Sequence, residues 1–338
     1  MSFTGASGGL IKAAMELTPR PGPWKWPRAV WALVACALLA AAGYGLYWNM
    51  LAGQFADAIH GWAEARRAGG YQVDYGDIAV GGFPFWLRAA IAEPVVSKSG
   101  EKQSWRWRGP ALSISTRPWR VTRTKARAPG RHLLTVTAPG RTGTLDLNAE
   151  ALNVFLNWSV LSALPLEARI EAKEVTFRSS PVAGLGRKTQ ILSLSAEATG
   201  VPPRSLGAAA MAHWRDDGGT VEIRKLNIRH GPLQMDGDGT IALDRDLQPQ
   251  GAFSLKVRGF LEAVDGLEAA GIIKPRGAEI VKAVLSVLAR GQGKWAEEAE
   301  EEAEGKRIKV PLSIQDGNFY VGPVAVGRVP PLHWPDGG

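Results

Sequence analysis

Residues 166–173 read LEARIEAK, and this stretch decides the fold class because every second side chain in it is apolar. The apolar residues alternate with charged ones, a period of two that predicts a β-strand with one dry face and one wet face. LSLSAEA at 192–198 repeats the pattern, as does IKVPLSI at 308–314. After residue 173 the apolar residues change parity, which predicts a bulge or turn near Glu174.

Short alternating runs continue along most of the chain after residue 70, and glycines and prolines, of which the whole chain has 40 and 22, separate many of them. We predict a mainly β (α+β) fold, in which an N-terminal transmembrane helix precedes an extended, curved antiparallel β-sheet with a few flanking helices. Among the predicted strands are Arg88 to Val96, Ser104 to Arg108, Leu112 to Thr116 and His132 to Ala138. The predicted helices after the anchor are residues 49–70, Ala149 to Trp158 and two helices within 259–291.

The segment 29–48 (AVWALVACALLAAAGYGLYW) carries no charge. Twenty helical residues span about 30 Å, the thickness of a bilayer core. Four basic residues and one acidic residue precede the segment, and this bias predicts a cytoplasmic N-terminal tail at 1–28. The predicted order is then the tail, the anchor at 29–48, an amphipathic helix at 49–70 and an exported β-rich domain at 71–338. The alternative is a cleaved signal peptide with its cleavage site at the small residues 40–42.

The only cysteine, Cys36, lies inside the apolar segment, so an intramolecular disulfide framework is excluded. An exported domain without thiols suits an oxidising compartment. We therefore expect a single-pass protein of the bacterial inner membrane with most of its chain in the periplasm.

The net charge is +8, and the densest group of bases runs from Arg117 to Arg131. One interpretation of this group is a solvated loop between strands. The other is contact with anionic lipid headgroups, with Arg117, Arg120, Arg123 and Lys125 as the candidate residues. A nucleic-acid-binding protein would concentrate its bases in a stripe, so no nucleic-acid partner is predicted.

The sequence contains no recognisable motif for catalysis, cofactor binding or metal binding. We therefore predict no catalytic, cofactor-binding or metal-binding residues, and we predict that the protein is not an enzyme and carries no cofactor. The five histidines lack short metal-ligand spacing, and no G-x-S-x-G motif occurs. The stretch DGDG at 236–239 is interpreted as a hairpin turn, because the further acidic ligands of a calcium loop are missing.

The stretch GGFPF, which consists of Gly81, Gly82, Phe83, Pro84 and Phe85, reads as a structural turn. Both glycines are expected to adopt backbone angles that other residues avoid, and both phenylalanines are expected to pack on the sheet. The functional alternative is a lip through which lipid enters.

Several of these stretches resemble the bacterial envelope family catalogued as domain of unknown function 2125. The matching stretches are Trp62, the GGY at 69–71, the GGFPF at 81–85, the DGDGTI at 236–241, residues 311–317 and the PPL at 330–332. The resemblance covers roughly residues 45–335 and implies no catalytic residue. More distantly, the anchor and the run of strands are similar to AsmA-type envelope proteins, whose open β-grooves hold lipid chains. This second resemblance is one of fold alone.

We expect a membrane-anchored envelope protein that binds or transfers phospholipid-like amphiphiles in a β-groove, with membrane lipid as its partner. The alternative is a periplasmic scaffold that binds protein partners of an envelope complex and holds no ligand. The sequence leaves the oligomeric state open.

Overall fold

The structure, a computed structural model, describes residues 28–100, 103–138, 141–159, 164–179, 185–271, 273–291, 307–332 and 334. The basic tail 1–27 and the acidic run 297–304 lie outside the described residues. The helices are α1 (Arg28–Ala68), α2 (Ala208–Asp216), α3 (Phe260–Ala269) and α4 (Pro275–Gly291). The strands are β1 (Tyr71–Asp74), β2 (Ile78–Gly81), β3 (Leu87–Ile91), β4 (Val95–Lys98), β5 (Ser104–Arg108), β6 (Leu112–Arg117), β7 (Arg120–Arg127), β8 (Gly130–Ala138), β9 (Arg141–Trp158), β10 (Pro165–Ser179), β11 (Lys188–Ala198), β12 (Val221–His230), β13 (Leu233–Leu243), β14 (Pro249–Arg258), β15 (Ile308–Gln315), β16 (Asn318–Val321) and β17 (Val324–Arg328).

The chain divides into two compact units after Asn49. The described part of the first unit is the N-terminal portion of α1, which is long and apolar enough to cross a membrane and has a mean hydropathy of 2.0 in its most apolar window. Helix α1 continues without a break through the segment for which the sequence predicts a separate amphipathic helix. It ends at Gly69 and Gly70, where a positive φ of 79° at Gly70 turns the chain into β1.

The second unit is built on one antiparallel meander. Strands β9 to β17 each pair with the next strand along the chain. Before them, β1 pairs with β4, β4 with β5, β5 with β8 and β8 with the first half of β9. A second antiparallel series lies alongside the first: β2 pairs with β3, β3 with β6, β6 with β7 and β7 with the second half of β9. Strands β1 to β8 are therefore four long legs, each interrupted once: β1–β2, β3–β4, β5–β6 and β7–β8.

The four interruptions lie side by side. Gly76 donates its N–H to the carbonyl of Ala92 at 2.9 Å, and Gly109 donates to the carbonyl of Pro94 at 2.9 Å. In the next leg, Ala128 donates to the carbonyl of Leu152 in β9 at 3.0 Å. We call this line across the sheet the crease, and it continues into β10 at Glu174, where φ is +49°. The predicted irregularity near Glu174 is confirmed.

Helices cover one end of the sheet. Helices α3 and α4 pack on β13, β14 and β15, and together they bury a cluster whose members are Leu255, Val257, Val264, Ala278, Leu285, Ile308 and Val310. The ammonium group of Lys282 joins the helices through ion pairs to Asp265 and Glu268. Helix α2 buries Met211 and Trp214 against Leu243 at the turn between β13 and β14.

The predicted fold class is confirmed, since the described residues form a long antiparallel sheet with one N-terminal apolar helix and three flanking helices. Three local predictions were wrong. Ala149 to Trp158 belongs to β9 and is not a helix, because β7 and β10 pair with it on both sides. Arg88 to Val96 is two strands, because the positive φ of Glu93 and the missing N–H of Pro94 interrupt the ladder.

The third wrong prediction is the turn at residues 236–239, which lie in the interior of β13. A side chain at Gly237 would place its Cβ 2.2 Å from the carbonyl oxygen of Ser254 on the neighbouring strand. A side chain at Gly239 would meet the ring of Phe253 at 2.3 Å. The two glycines therefore allow close packing within the sheet instead of a change of chain direction.

Candidate functional site

One face of the sheet is apolar across many strands. A single row of paired residues crosses β7, β9, β10, β11 and β12, and its members are Ala126, Val154, Ile170, Leu194 and Leu226. A second row on the same face contains Leu152, Ala172, Leu192 and Ile228. Because neighbouring strands keep this register, the apolar side chains form one continuous surface, which we call the apolar face.

The apolar face is covered at one end and open in its middle. At β13 to β15 the helices α3 and α4 lie over it. At β9 to β12, Val154, Ile170, Leu194 and Leu226 all remain partly exposed. Within the part of the chain that the structure describes, no helix packs across β9, β10 and β11, whereas Leu226 on β12 adjoins the cluster that α3 and α4 bury. The apolar face therefore consists of apolar side chains, and its middle remains accessible to solvent.

The deepest part of this open region lies at the crease. Ala149, Ala172 and Val175 are buried there, with Phe177 and Leu192 packed against them. Ala172 and Val175 are three residues apart and would face opposite ways in a regular strand, but the positive φ of Glu174 between them restores the same side. The apolar face therefore continues on both sides of the crease.

The opposite face is polar and carries the predicted basic cluster. Lys125 pairs with Phe155, Phe155 with Arg169, and Arg169 with Ser195, and all four are one position out of phase with the apolar row. Arg117 ends β6, Arg120 begins β7, and Arg123 and Lys125 follow within β7. The interpretation of this segment as a loop was therefore wrong, because β7 is a strand. Its headgroup contact stays a prediction.

All four candidate basic residues line one open cavity of about 590 Å³, together with Arg169 and Arg224. Two carboxylates, Glu167 and Glu197, line it as well, and Glu197 pairs with Arg224 at 3.1 Å. Among the described residues, no carboxylate lies within ion-pair distance of the four cations of the cluster. The cavity therefore presents unneutralised positive charge, which would attract phosphate or carboxylate groups.

Aromatic rings hold two of these cations in place. The ammonium nitrogen of Lys125 lies 4.6 Å from the ring centroid of Phe155. The guanidinium carbon of Arg117 lies 5.0 Å from the ring of Trp86 and 5.9 Å from that of Trp119. Such contacts stabilise a cation by about 0.5–1 kcal/mol at exposed sites without removing its charge.

Gly81 of the GGFPF stretch ends β2, and the remaining four residues lie in the loop between β2 and β3. Phe83 is 57% exposed and Phe85 is 63% exposed, so the expectation that they pack on the sheet was wrong. They lie beyond the strand ends, in the loop between β2 and β3. Gly82 adopts a positive φ of 107°, as expected, whereas Gly81 does not and has open space around it.

Two buried histidines make contacts within the sheet. His132 lies 2.9 Å from the carbonyl oxygen of Ala128 at the crease. His230 is buried with its Nδ1 2.7 Å from the hydroxyl of Thr189, and this burial lowers the pKa of His230. No cluster of three His, Cys, Asp or Glu side chains that could hold a metal ion occurs among the described residues.

A bidentate ion pair joins strands β8 and β9. The guanidinium of Arg131 donates to both carboxylate oxygens of Asp146 at 2.9 and 2.7 Å, and this hydrogen bonding lowers the pKa of Asp146. Arg131 belongs to the run of bases in the sequence, but this contact neutralises it. The free charge is therefore concentrated at the end of the run nearest Arg117.

These features define a class of protein: an N-terminal helix able to span a membrane, followed by a creased antiparallel sheet with one open apolar face. The model of an uncharacterised bacterial protein family, DUF2125, matches residues 48–184 and 166–330. The chain belongs to this family, as the resemblance in the sequence predicts. No curated protein and no solved structure matches the chain. The likeness to AsmA-type proteins stays a prediction.

Proposed function

We propose that this protein is a single-pass, membrane-anchored envelope protein whose sheet holds the acyl chain of a phospholipid-like amphiphile. The observation that supports the proposal is the open middle of the apolar face, where a row of aliphatic side chains on β9 to β12 remains partly exposed. An acyl chain laid on this row would bury apolar surface on both partners and gain about 0.8 kcal/mol per buried CH₂ group.

The dimensions of the apolar face suit one acyl chain. The row from Ala126 on β7 to Leu226 on β12 crosses four inter-strand steps. At about 4.8 Å per step, the row is about 19 Å long. A bilayer core of about 30 Å holds two chains end to end, so one chain needs about 15 Å. The face is long enough for the chain without the covered end at β13 to β15.

The apolar part of α1 supports a membrane lipid as the occupant, because a chain that spans a bilayer through this helix would be tethered to its lipids. The bias of positive charge before the span supports a cytoplasmic N-terminus and a periplasmic sheet. A tethered apolar face beside a membrane meets amphiphiles at high effective concentration.

Photo-crosslinking tests the proposal with neighbouring positions as matched controls. A benzophenone side chain replaces Leu194 on the apolar face or Ser195 on the polar face of the same strand, in the full-length protein in cells. We expect lipid adducts from position 194 and few from position 195, measured by mass spectrometry of the purified protein. The pair Ile170 and Arg169 on β10 repeats the comparison. Equal lipid capture from both parities, or from neither, would contradict the proposal.

The edge of the sheet supports the second candidate function, a scaffold for envelope proteins. Strand β17 pairs only with β16 among the described strands, which leaves its other side open to an added strand from a partner. Benzophenone at Ala325 in β17 would then capture protein. Protein adducts at 325 together with no lipid adducts at 194 would favour the scaffold.

A further inference from the structure

Two loops meet at one end of the first legs of the sheet. The loop Gly82–Trp86 joins β2 to β3, and the turn at Pro118 and Trp119 joins β6 to β7. They are neighbours because Leu87 of β3 pairs with Thr116 of β6. The side chain of Arg117 bridges them, with its guanidinium near the rings of Trp86 and Trp119.

These loops expose an unusual amount of apolar surface. Phe85 is 63% exposed, Phe83 and Trp119 are each 57% exposed, Val121 is 51% exposed and Trp86 is 39% exposed. Single exposed apolar residues are ordinary, but four large ones on adjoining loops, together with Val121 at the start of β7, form a patch of the kind that marks an interaction surface. We call these five residues the aromatic tip.

The aromatic tip is held by specific contacts. The N–H of Trp86 donates to the carbonyl of Gly82 at 2.9 Å, and this closes the first loop. The buried hydroxyl of Thr116 lies 3.1 Å from the carbonyl oxygen of Arg120 and 2.9 Å from that of Arg123, at the base of the second loop. Because the loops are already ordered, little conformational entropy is lost when a partner covers the exposed rings.

The surroundings of the aromatic tip favour a lipid bilayer as that partner. Arg117 lies near the rings of Trp86 and Trp119. Arg120 and Arg123 line the same cavity as Arg117 and Trp86, and none of the three arginines has a carboxylate at ion-pair distance among the described residues. Segments that lie at a membrane interface typically combine tryptophan and phenylalanine with arginine. Their rings enter the boundary between headgroups and acyl chains, and their cations contact lipid phosphates. The same chain carries a helix that is able to span a membrane, so a bilayer is always within reach.

We propose that the aromatic tip inserts into the interfacial layer of an anionic lipid bilayer, with Arg117, Arg120 and Arg123 on the lipid phosphates. This docking surface does not depend on the proposed lipid-holding function. Arg123 and Lys125 lie on the opposite face of β7 from Ala126, which begins the aliphatic row, and Arg117 and Arg120 line the same cavity as these two residues. The bases therefore contact lipids of the bilayer and not the headgroup of a chain held on the apolar face.

Single-cysteine labelling of the full chain tests the docking. Cys36→Ser removes the only native thiol, and Phe85→Cys or Trp119→Cys then receives an environment-sensitive fluorophore. The labelled protein is reconstituted into vesicles of phosphatidylcholine with phosphatidylglycerol. We expect blue-shifted emission at both positions and strong quenching by a quencher attached to lipid acyl chains. Val287→Cys is the matched control, because Val287 is 61% exposed on α4, away from the tip.

The results separate docking from general closeness to the membrane. Emission and quenching at 85 and 119 equal to those at 287 would overturn the proposal. Thermal unfolding of each labelled variant shows that a water-like signal does not come from misfolding. Lipid adducts at position 194 report on the apolar face independently, so the two proposals can fail separately.

The charged part of the proposal has its own test. The triple variant Arg117→Gln, Arg120→Gln and Arg123→Gln removes three unpaired cations from beside the rings. In vesicles with phosphatidylglycerol we expect clearly less quenching at position 85 in this variant, and added salt should mimic the change. Arg276→Gln, which removes an exposed cation on α4, should leave the quenching unchanged. Equal quenching in the triple variant and its parent would refute the role of the arginines.

Discussion

Gly82 shows how one residue determines the shape of the loop that carries the aromatic tip. Its φ of +107° is a backbone conformation that residues with a side chain rarely adopt. A Cβ at this position would lie 2.8 Å from the carbonyl oxygen of Trp86, the residue that closes the loop. The position therefore requires glycine for two reasons, the backbone angle and the lack of space.

The pair Gly82→Ala and Gly81→Ala makes this requirement measurable. We expect Gly82→Ala to destabilise the fold by about 1–3 kcal/mol, the usual cost of such backbone strain. Gly81→Ala should change stability by less than about 0.5 kcal/mol, since nothing lies within 4 Å of a Cβ there. Thermal unfolding of the full-length protein in detergent measures both. Similar melting temperatures for the two variants would show that the loop relaxes without cost.

His230 gives a pH dependence at the residue scale. Burial holds the pKa of His230 below its usual 6.5, so the folded protein takes up this proton at a lower pH than the unfolded chain does. Stability contributed by the neutral imidazole is therefore present above pH 6.5 and is lost as the pH falls from there through the folded-state pKa.

We expect His230→Gln to flatten the dependence of the melting temperature on pH in this window. His213→Gln is the control, because the His213 side chain is 78% exposed, and it should retain the dependence of the parent protein. The same slope in His230→Gln and its parent would assign the effect to other groups.

At the scale of elements, strand periodicity was the signal that the sequence carried best. Strand β5 has the predicted bounds, and β11 contains the run 192–198 that the alternation marks. Helix α2 was missed because it is only nine residues long and depends on Trp214, whose indole N–H donates to the carbonyl of Thr199 at 2.9 Å. Such a contact between distant residues leaves no local pattern in the sequence.

Strand glycines provide the prediction at this scale. A Cβ at Gly237 would collide with the backbone of β14, so Gly237→Ala should destabilise the sheet by about 1–3 kcal/mol through overpacking. Gly143→Ala in β9 should have little effect, because nothing lies within 4 Å of its Cβ. Urea unfolding of both variants compares them directly. A neutral Gly237→Ala would mean that β13 and β14 separate without cost.

At the scale of the whole molecule, the candidate site was only partly predictable. The sequence marks the four bases of the cluster, but their convergence on one cavity depends on the pairing of β7 with β9 and on β10 and β11 beyond it. The aromatic tip could not be predicted, because its two loops are 32 residues apart in the sequence, from Trp86 to Pro118. Pairing of β3 with β6 brings them together.

Membrane topology is the prediction for the whole chain. The uncharged span and its basic flank predict that the C-terminus lies in the periplasm. An alkaline phosphatase fused after residue 338 should be active, and a fluorescent reporter that requires the cytoplasm should be silent at the same position. The reverse pattern would contradict the predicted orientation and, with it, the proposed access to periplasmic lipid.

The crease has a mechanical consequence. A sheet resists bending where its hydrogen-bond ladder is complete and yields where the ladder is interrupted. Since four legs are interrupted along the same line, bending strain concentrates there, as in a book that opens at its spine. We expect the amides of Tyr75, Asp77 and Glu93, which lie between the strands of their legs, to exchange with deuterium faster than those of β11. The angle at this hinge would set the distance between the two parts of the sheet on either side of the crease. That distance would in turn limit the width of a ligand bound between them.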